Sequence, residues 1–201
     1  MLKVGLTGGI ACGKSTVASL LRDLDCMVLE MDPIGHELLE PGQSAYDEIV
    51  REFGPSVLGP GDAVDRAKLG AVIFNDSAKR LRLNQILHPR ILDVVQKWFA
   101  ALARPGGPEF AVVEAALIVE TGFHKSLDNL IVCWCRPEQQ RERLLERGFS
   151  REEAALRIAA QMPGDEKRQL ADEVIDCSGT IEETERQVKN VVARLKELSA
   201  S

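Results

Sequence analysis

Lys3-Val4-Gly5-Leu6-Thr7-Gly8-Gly9-Ile10-Ala11-Cys12-Gly13-Lys14-Ser15-Thr16-Val17 is the stretch that decides how this chain is read. Lys3 to Thr7 has the apolar character of a buried strand, and Gly8 to Ser15 satisfies G-x-x-x-x-G-K-[ST]. Behind it Val17, Leu20, Leu21 and Leu24 recur at helical spacing, so strand, loop and helix arrive in the order a phosphate-binding loop needs. A polyphosphate requires many donors in a small concave space. Glycines let the backbone fold closely enough for successive N–H groups to converge, and the helix N-terminus adds partial positive charge. The cradle is therefore expected to comprise Gly8, Gly9, Ala11, Cys12, Gly13, Lys14, Ser15 and Thr16. Lys14 would act catalytically on the β- and γ-phosphates of ATP as a flexible point charge, and the Ser15 hydroxyl would ligate Mg²⁺. The competing reading is an ordinary glycine-rich turn with Lys14 facing solvent.

Working outward, Met27 to Glu30, Phe110 to Glu114, Leu130 to Cys135 and Glu173 to Ile175 read as further short strands. Helical patterns separate most of them, and that alternation implies parallel pairing through right-handed crossovers. The expected fold class is α/β: a P-loop NTPase-type parallel five-stranded sheet flanked by helices, with two helical insertions. Ser150 with Glu153, and Thr180 with Glu183, have capping-box spacing, the second opening a helix to about Leu198. Nearly eighty residues lie between the second and third strands, far beyond the roughly 12 a simple crossover needs. Helical patterns there cover Tyr46 to Phe53, Asp65 to Phe74, Lys79 to Leu87 and Arg90 to Leu102, with turns expected at Gly59-Pro60-Gly61 and His88-Pro89. A single domain over 1–201 results, with a nucleotide-binding core of 1–32, 109–136 and 164–201, one insertion at 33–108 and an arginine-rich one at 137–163.

Composition narrows the function classes. With 45% hydrophobic and 28% charged residues in 201, the chain suits one soluble domain with a sizeable core. A net charge of −6 argues against a protein that covers nucleic acid or an anionic membrane. No apolar run reaches membrane-spanning length, and Met1 to Gly9 enters a strand pattern without a signal-peptide core, so a cytoplasmic location is expected. No protein partner is inferred. The five cysteines are odd in number and scattered, which fits a reducing compartment rather than a disulfide framework. Cys133 and Cys135 would share one strand face; with no second Cys or His pair at ligand spacing, they read as small core residues rather than a zinc site.

The second strand ends in Glu30-Met31-Asp32, and residues two apart on an extended chain share a side, so both carboxylates are expected to project together near the cradle. One could accept a hydroxyl proton, and either could hold a Mg²⁺-bound water; the alternative is an acidic N-cap pair before a helix starting near Ile34. After Pro137, Gln140, Arg143 and Arg147 fall at i, i+3 and i+7, a polar stripe able to close over a triphosphate. Interleaved Glu142, Glu146, Glu152 and Glu153 leave open a merely solvated, salt-bridged helix. His88, just before Pro89 at a helix start, reads more readily as a local cap or a packed ring than as a ligand.

Along nearly its whole length the chain resembles dephospho-coenzyme A kinases. The matching stretches are Gly5 to Ile10 running into the loop, Asp32 with His36-Glu37, Asp65-Arg66 with Leu69 and Phe74, Leu87-His88-Pro89 with Ile91, and Leu117 with Glu120. Gln140 with Arg143, Ala160-Gln161-Met162-Pro163, Lys167, and Ala171-Asp172 with Val174-Ile175-Asp176 complete the series. The resemblance implies transfer of the ATP γ-phosphate to the ribose 3′-hydroxyl of dephospho-coenzyme A. It further implies that Asp32 is the catalytic base, that 33–108 binds the acceptor through Arg66, His88, Pro89 and Ile91 with Asp32 and Glu120 from outside it, and that 137–163 is a lid carrying catalytic Arg143. Three positions depart from the family pattern: Glu30 stands where an Asp is usual, Ala116 where a Pro is frequent, and Cys177 where an Asn is frequent.

Two other readings share the loop. A GTPase switch is suggested by Asp32-Pro33-Ile34-Gly35, but no Asn-Lys-x-Asp motif follows. A nucleoside monophosphate kinase has the same cradle and lid, and the acceptor insertion separates it from the leading reading.

Overall fold

In the computed structural model, which describes residues 1–74 and 76–200, five strands form one parallel sheet in the order β2-β3-β1-β4-β5. They are β1 (Leu2–Gly8), β2 (Met27–Glu30), β3 (Phe110–Glu114), β4 (Asn129–Trp134) and β5 (Glu173–Asp176). The α-helices of the described residues are α1 (Lys14–Asp23), α2 (Met31–Glu37), α3 (Tyr46–Phe53), α4 (Arg66–Phe74), α5 (Ser77–Leu102), α6 (Pro137–Glu146), α7 (Arg151–Ala159), α8 (Gly164–Gln169) and α9 (Ile181–Ala200). The expected strands and fold class are those observed. The chain divides into two compact units, Met1–Leu29 with Ala101–Ser201, and Glu30–Ala100.

The first unit holds the sheet. β1 is its central strand, with Leu2 opposite Phe110 on one side and Val4 opposite Asn129 on the other. Its alternation sorts side chains onto two faces. On one, Val4, Leu6, Val112, Ile131 and Ile175 meet Val17, Ala18 and Leu21 from α1 and Val188, Val191, Val192 and Leu195 from α9. Each such buried aliphatic contributes roughly 1.5–3 kcal/mol. On the other face Gly5 lies against the side chains of Leu127, Leu130 and Ile118. Both capping boxes form: Ser150 Oγ accepts from Glu153 N at 3.1 Å, and Thr180 N donates to Glu183 Oε2 at 2.9 Å.

The second unit is helical. Asp65 Oδ1 accepts from Ala67 N and Lys68 N at 2.8 and 3.1 Å, which caps α4. Arg82 reaches Glu52 at 3.0 Å and Arg90 reaches Glu48 at 2.8 Å, tying α5 to α3. The turn expected at His88-Pro89 does not exist, because α5 runs unbroken through Pro89. A proline removes one helical donor, here the one facing Gln85. Arg90 Nη1 donates to the next carbonyl, that of Ile86, at 2.6 Å. Leu83 and Ile86 before the proline and Val95 and Phe99 after it are buried, so packing on both sides outweighs the local breaker.

Candidate active site

The loop between β1 and α1 leaves the sheet at its carboxyl edge, the edge where ligands of open parallel sheets bind. Its backbone turns through Gly8 (φ 152°), Ala11 (φ 60°) and Gly13 (φ 95°). A β-carbon on Gly8 would run into the Cys133 carbonyl, and one on Gly13 would lie 3.1 Å from Cys177 Sγ. Gly13 precedes α1 with no side-chain cap, and the first turn carries no acid. The orphan N–H groups and the positive end of the helix dipole are thus left for an anionic ligand. Lys14 Nζ donates to the Gly9 carbonyl at 3.4 Å, folded back over the loop. Ser15 and Thr16 are exposed.

Side chains from distant elements hold the loop in shape. Gln161 Oε1 accepts from Ile10 N at 2.8 Å, and Gln140 Nε2 donates to Ile10 O at 2.7 Å, so one residue's two backbone groups are both clamped. Arg143 donates to Ala11 O at 3.2 Å and to Cys177 O at 2.7 Å, linking the loop to the turn after β5. Ile10 and Ala11 also pack with Leu144, Phe149, Ala154 and Ile158 of the α6–α7 hairpin. Of the expected polar stripe, Gln140 and Arg143 face the loop. Arg147 does not continue it, because α6 ends at Glu146 and Arg147 is its exposed C-cap. Behind the loop, fully buried Lys167 donates to Ala116 O at 2.7 Å and pairs with Glu120 Oε1 at 2.8 Å. Met162 N donates to that same Glu120 oxygen at 2.9 Å. Burial pushes the Lys167 ammonium below its ordinary pKa, with the Glu120 pair opposing the shift.

Cysteines crowd this edge. Cys135 Sγ donates to Cys12 Sγ across 3.4 Å, and both residues are only 3% exposed. Hydrogen bonding from Cys135 outweighs burial, and with help from Lys14 and Arg143 it brings the Cys12 thiol down to about 7, while Cys135 is pushed up. Cys133 lies in the core cluster, as expected for a small apolar residue. Cys135 follows the end of β4 and spends its S–H on the loop, so it is more than core filling.

The second-unit residues expected to meet the acceptor lie on α2, α4 and α5. The strand stops at Glu30, and Asp32 sits exposed in the first turn of α2. The expectation of two carboxylates on one side of an extended chain is therefore corrected. Pro33 is compatible with that early helix start because a first-turn residue needs no intrahelical N–H bond. Asp32 and His36 are one helical turn apart. Partial burial first, then the Arg66 charge, lowers the His36 pKa, and Asp32 opposes them, so the three form one electrostatic group. Ile91 of α5 lies over Gly35. His88 is half-buried, which lowers its pKa, and Pro89 is exposed.

Among the described residues, no three His, Cys, Asp or Glu side chains form a metal cage. Mg²⁺ carried with a nucleotide needs little more than one protein oxygen, because phosphate oxygens and water complete its octahedron. The exposed Ser15 hydroxyl at the start of α1 fits that donor set.

The dephospho-CoA kinase family model matches residues 2–183. The chain belongs to that family. A dephospho-CoA kinase of Geobacter sulfurreducens is 44% identical, covering 95% of this chain and 97% of the relative. The crystal structure of TT1252 from Thermus thermophilus has a TM-score of 0.82 at 32% identity, covering 96% of this chain and 97% of that one. A dephospho-CoA kinase from Campylobacter jejuni has a TM-score of 0.73 at 25% identity, covering 97% of each chain. As a dephospho-CoA kinase, the chain is an ATP-dependent phosphotransferase of coenzyme A biosynthesis.

Within this dephospho-CoA kinase, the supporting residues are what sequence reasoning missed. Gln161 and Lys167 carried no signal beyond the family resemblance, since their partners lie 151 and 51 positions away. Glu114, in the sequence only the end of a strand, is a buried acid at the carboxyl end of β3, opposite Leu6.

Proposed function

We propose that the chain moves the γ-phosphoryl group of ATP onto the ribose 3′-hydroxyl of dephospho-coenzyme A through the residues assembled above. The observation that carries this reading is the uncapped start of α1, joined to a loop whose conformation is held at Ile10 and Ala11. The loop residues Gly8, Gly9, Ala11, Cys12, Gly13, Lys14, Ser15 and Thr16 cradle the phosphates, mainly through backbone N–H groups. Lys14 swings from the Gly9 carbonyl to neutralise charge building on the transferred group. Ser15 would hold Mg²⁺, which would supply charge neutralisation at the phosphates.

Asp32 accepts the proton of the attacking hydroxyl; its exposed place on α2 leaves it open to an acceptor. His36 and Arg66 share its electrostatic group, and His88, Pro89 and Ile91 provide further acceptor contacts. Glu120 belongs to the acceptor set by resemblance. The commitment of its Oε1 to Lys167 and Met162 favours a positioning role. Arg143, already held at two carboxyl-edge turns, adds positive charge beside the phosphates, and residues 137–163 cover them as a lid that excludes water. All five cysteines are free, which supports a cytoplasmic site of action. No helix among the described residues is long and apolar enough to cross a membrane.

A coupled ADP-release assay with dephospho-coenzyme A, AMP, CMP and no acceptor tests the assignment. Turnover is expected with dephospho-coenzyme A alone. Equal turnover with a nucleoside monophosphate would overturn it.

A further inference from the structure

Four of the five cysteines meet around the phosphate loop although they come from three turns of the sheet. Cys12 is in the loop itself, Cys133 and Cys135 flank the end of β4, and Cys177 follows β5. The Cys12 and Cys135 sulfurs face each other at 3.4 Å, 123 positions apart in sequence, and Cys133 and Cys177 form a second hydrogen-bonded thiol pair that belongs to the hydrophobic core cluster rather than to the loop. A structural metal does not explain the pair, since no third His, Cys, Asp or Glu donor joins it among the described residues. Ordinary core packing does not explain it either, because the Cys135 S–H is directed at a sulfur of the functional loop.

We propose that Cys12 and Cys135 are a dithiol modification site for small hydroperoxides, and that the resulting disulfide disables the phosphate cradle. The second half of this proposal rests on the reading of the loop as the ATP site. In the first step the Cys12 thiolate attacks one peroxide oxygen. An S–O bond forms, the O–O bond breaks, and the departing alkoxide or hydroxide takes a proton to leave as an alcohol or water. In the second step the Cys135 sulfur attacks the Cys12 sulfenic acid; the S–S bond forms, the S–O bond breaks, and water leaves. Two thiols thus lose two electrons to one peroxide. The reagent must be small, because both residues are only 3% exposed. The hydrogen bond from Cys135 first, then the Lys14 and Arg143 charges, favours the thiolate at Cys12.

Bond formation draws the sulfurs from 3.4 Å to about 2.05 Å. The Cys12 N–H bond to Gly9 O, the left-handed Ala11 and the adjoining Gly13 all lie on the segment that must move. Donors aimed at phosphate would shift with it. Thiol reductants would reverse the change, as suits a transient disulfide in a reducing compartment.

The test treats the purified enzyme with hydrogen peroxide, alkylates the remaining thiols and maps peptides by mass spectrometry, alongside Mg·ATP binding and ADP release. A Cys12–Cys135 peptide should appear, ATP affinity and turnover should fall about tenfold or more, and dithiothreitol should restore both. Cys135→Ala, with Cys135→Ser as a second variant should the first misfold, should turn over within about twofold of wild type and resist peroxide. Cys12 and Cys135 both found alkylated after peroxide, a link to Cys133 or Cys177 instead, or a Cys135→Ala enzyme inactivated as fast as wild type would each overturn the proposal. Lys14→Ala run in parallel separates the two ideas. If it binds ATP like wild type, the loop reading falls; if it fails to bind while the cross-linked enzyme binds normally, only this proposal falls.

Discussion

Ile10 illustrates how little of a phosphate loop's shape is local. Its N–H and C=O are both taken by glutamine side chains, and its neighbour Ala11 holds a left-handed conformation while Arg143 grips its carbonyl. Against that fixed frame Lys14 is a mobile charge with one weak tether at 3.4 Å. Lys14→Ala should therefore abolish ATP turnover and leave the circular dichroism spectrum and urea midpoint of wild type. Normal turnover in that variant would remove the loop from the mechanism. Asp32 differs in kind, being an exposed carboxylate in a first helical turn. Asp32→Asn keeps its shape but cannot accept a proton, so kcat should fall by about two to four orders of magnitude with acceptor binding retained. Single-turnover rates and equilibrium binding check the two halves separately; an unchanged kcat would exclude Asp32 as the base.

At the scale of elements, α8 is fastened to the turn after β3 through one buried charge. Lys167 has no exposed side-chain surface, whereas Glu120 keeps 22% of its own. Lys167→Met leaves the Ala116 carbonyl and a partly solvated carboxylate without their cation, a change that typically costs about 3 kcal/mol at the lower end of its range. Urea denaturation should detect that loss, and an undiminished midpoint would mean the pair merely offsets its own desolvation. Elements also show where sequence suffices and where it does not. β1, its loop and α1 were legible because an alternating run, a glycine motif and a helical stripe are all local. α5 was not: Pro89 is a local signal, while the burial of Leu83, Ile86, Val95 and Phe99 that overrides it is tertiary. The early start of α2 was hidden for a related reason, since Pro33 reads as a breaker although a first turn tolerates it. Gln161 was invisible as a loop clamp because its bond to Ile10 leaves no periodicity in the chain.

For the molecule as a whole, acid sensitivity should centre on the helical unit. Burial lowers the pKa of both His36 and His88 below the ordinary 6.5. Between the lowered folded values and 6.5 the unfolded chain binds more protons, so stability rises with pH there and is lost as pH falls from 6.5. The urea midpoint should hold above about pH 7 and decline towards about pH 5.5, less steeply in His88→Gln. A midpoint flat over that interval, or rising in acid, would contradict the assignment. The strand order carries a consequence for biosynthesis. β1 precedes the other four strands yet lies centrally, with partners beginning at Phe110 on one side and Asn129 on the other. A growing polypeptide must keep β1 unpaired until Phe110 and the residues after it have been made, more than a hundred positions later. Such distant pairing slows folding and lengthens the interval in which an apolar strand is bare. Newly made chains of this enzyme should therefore lean on chaperones during synthesis far more than the finished molecule's compact sheet would suggest.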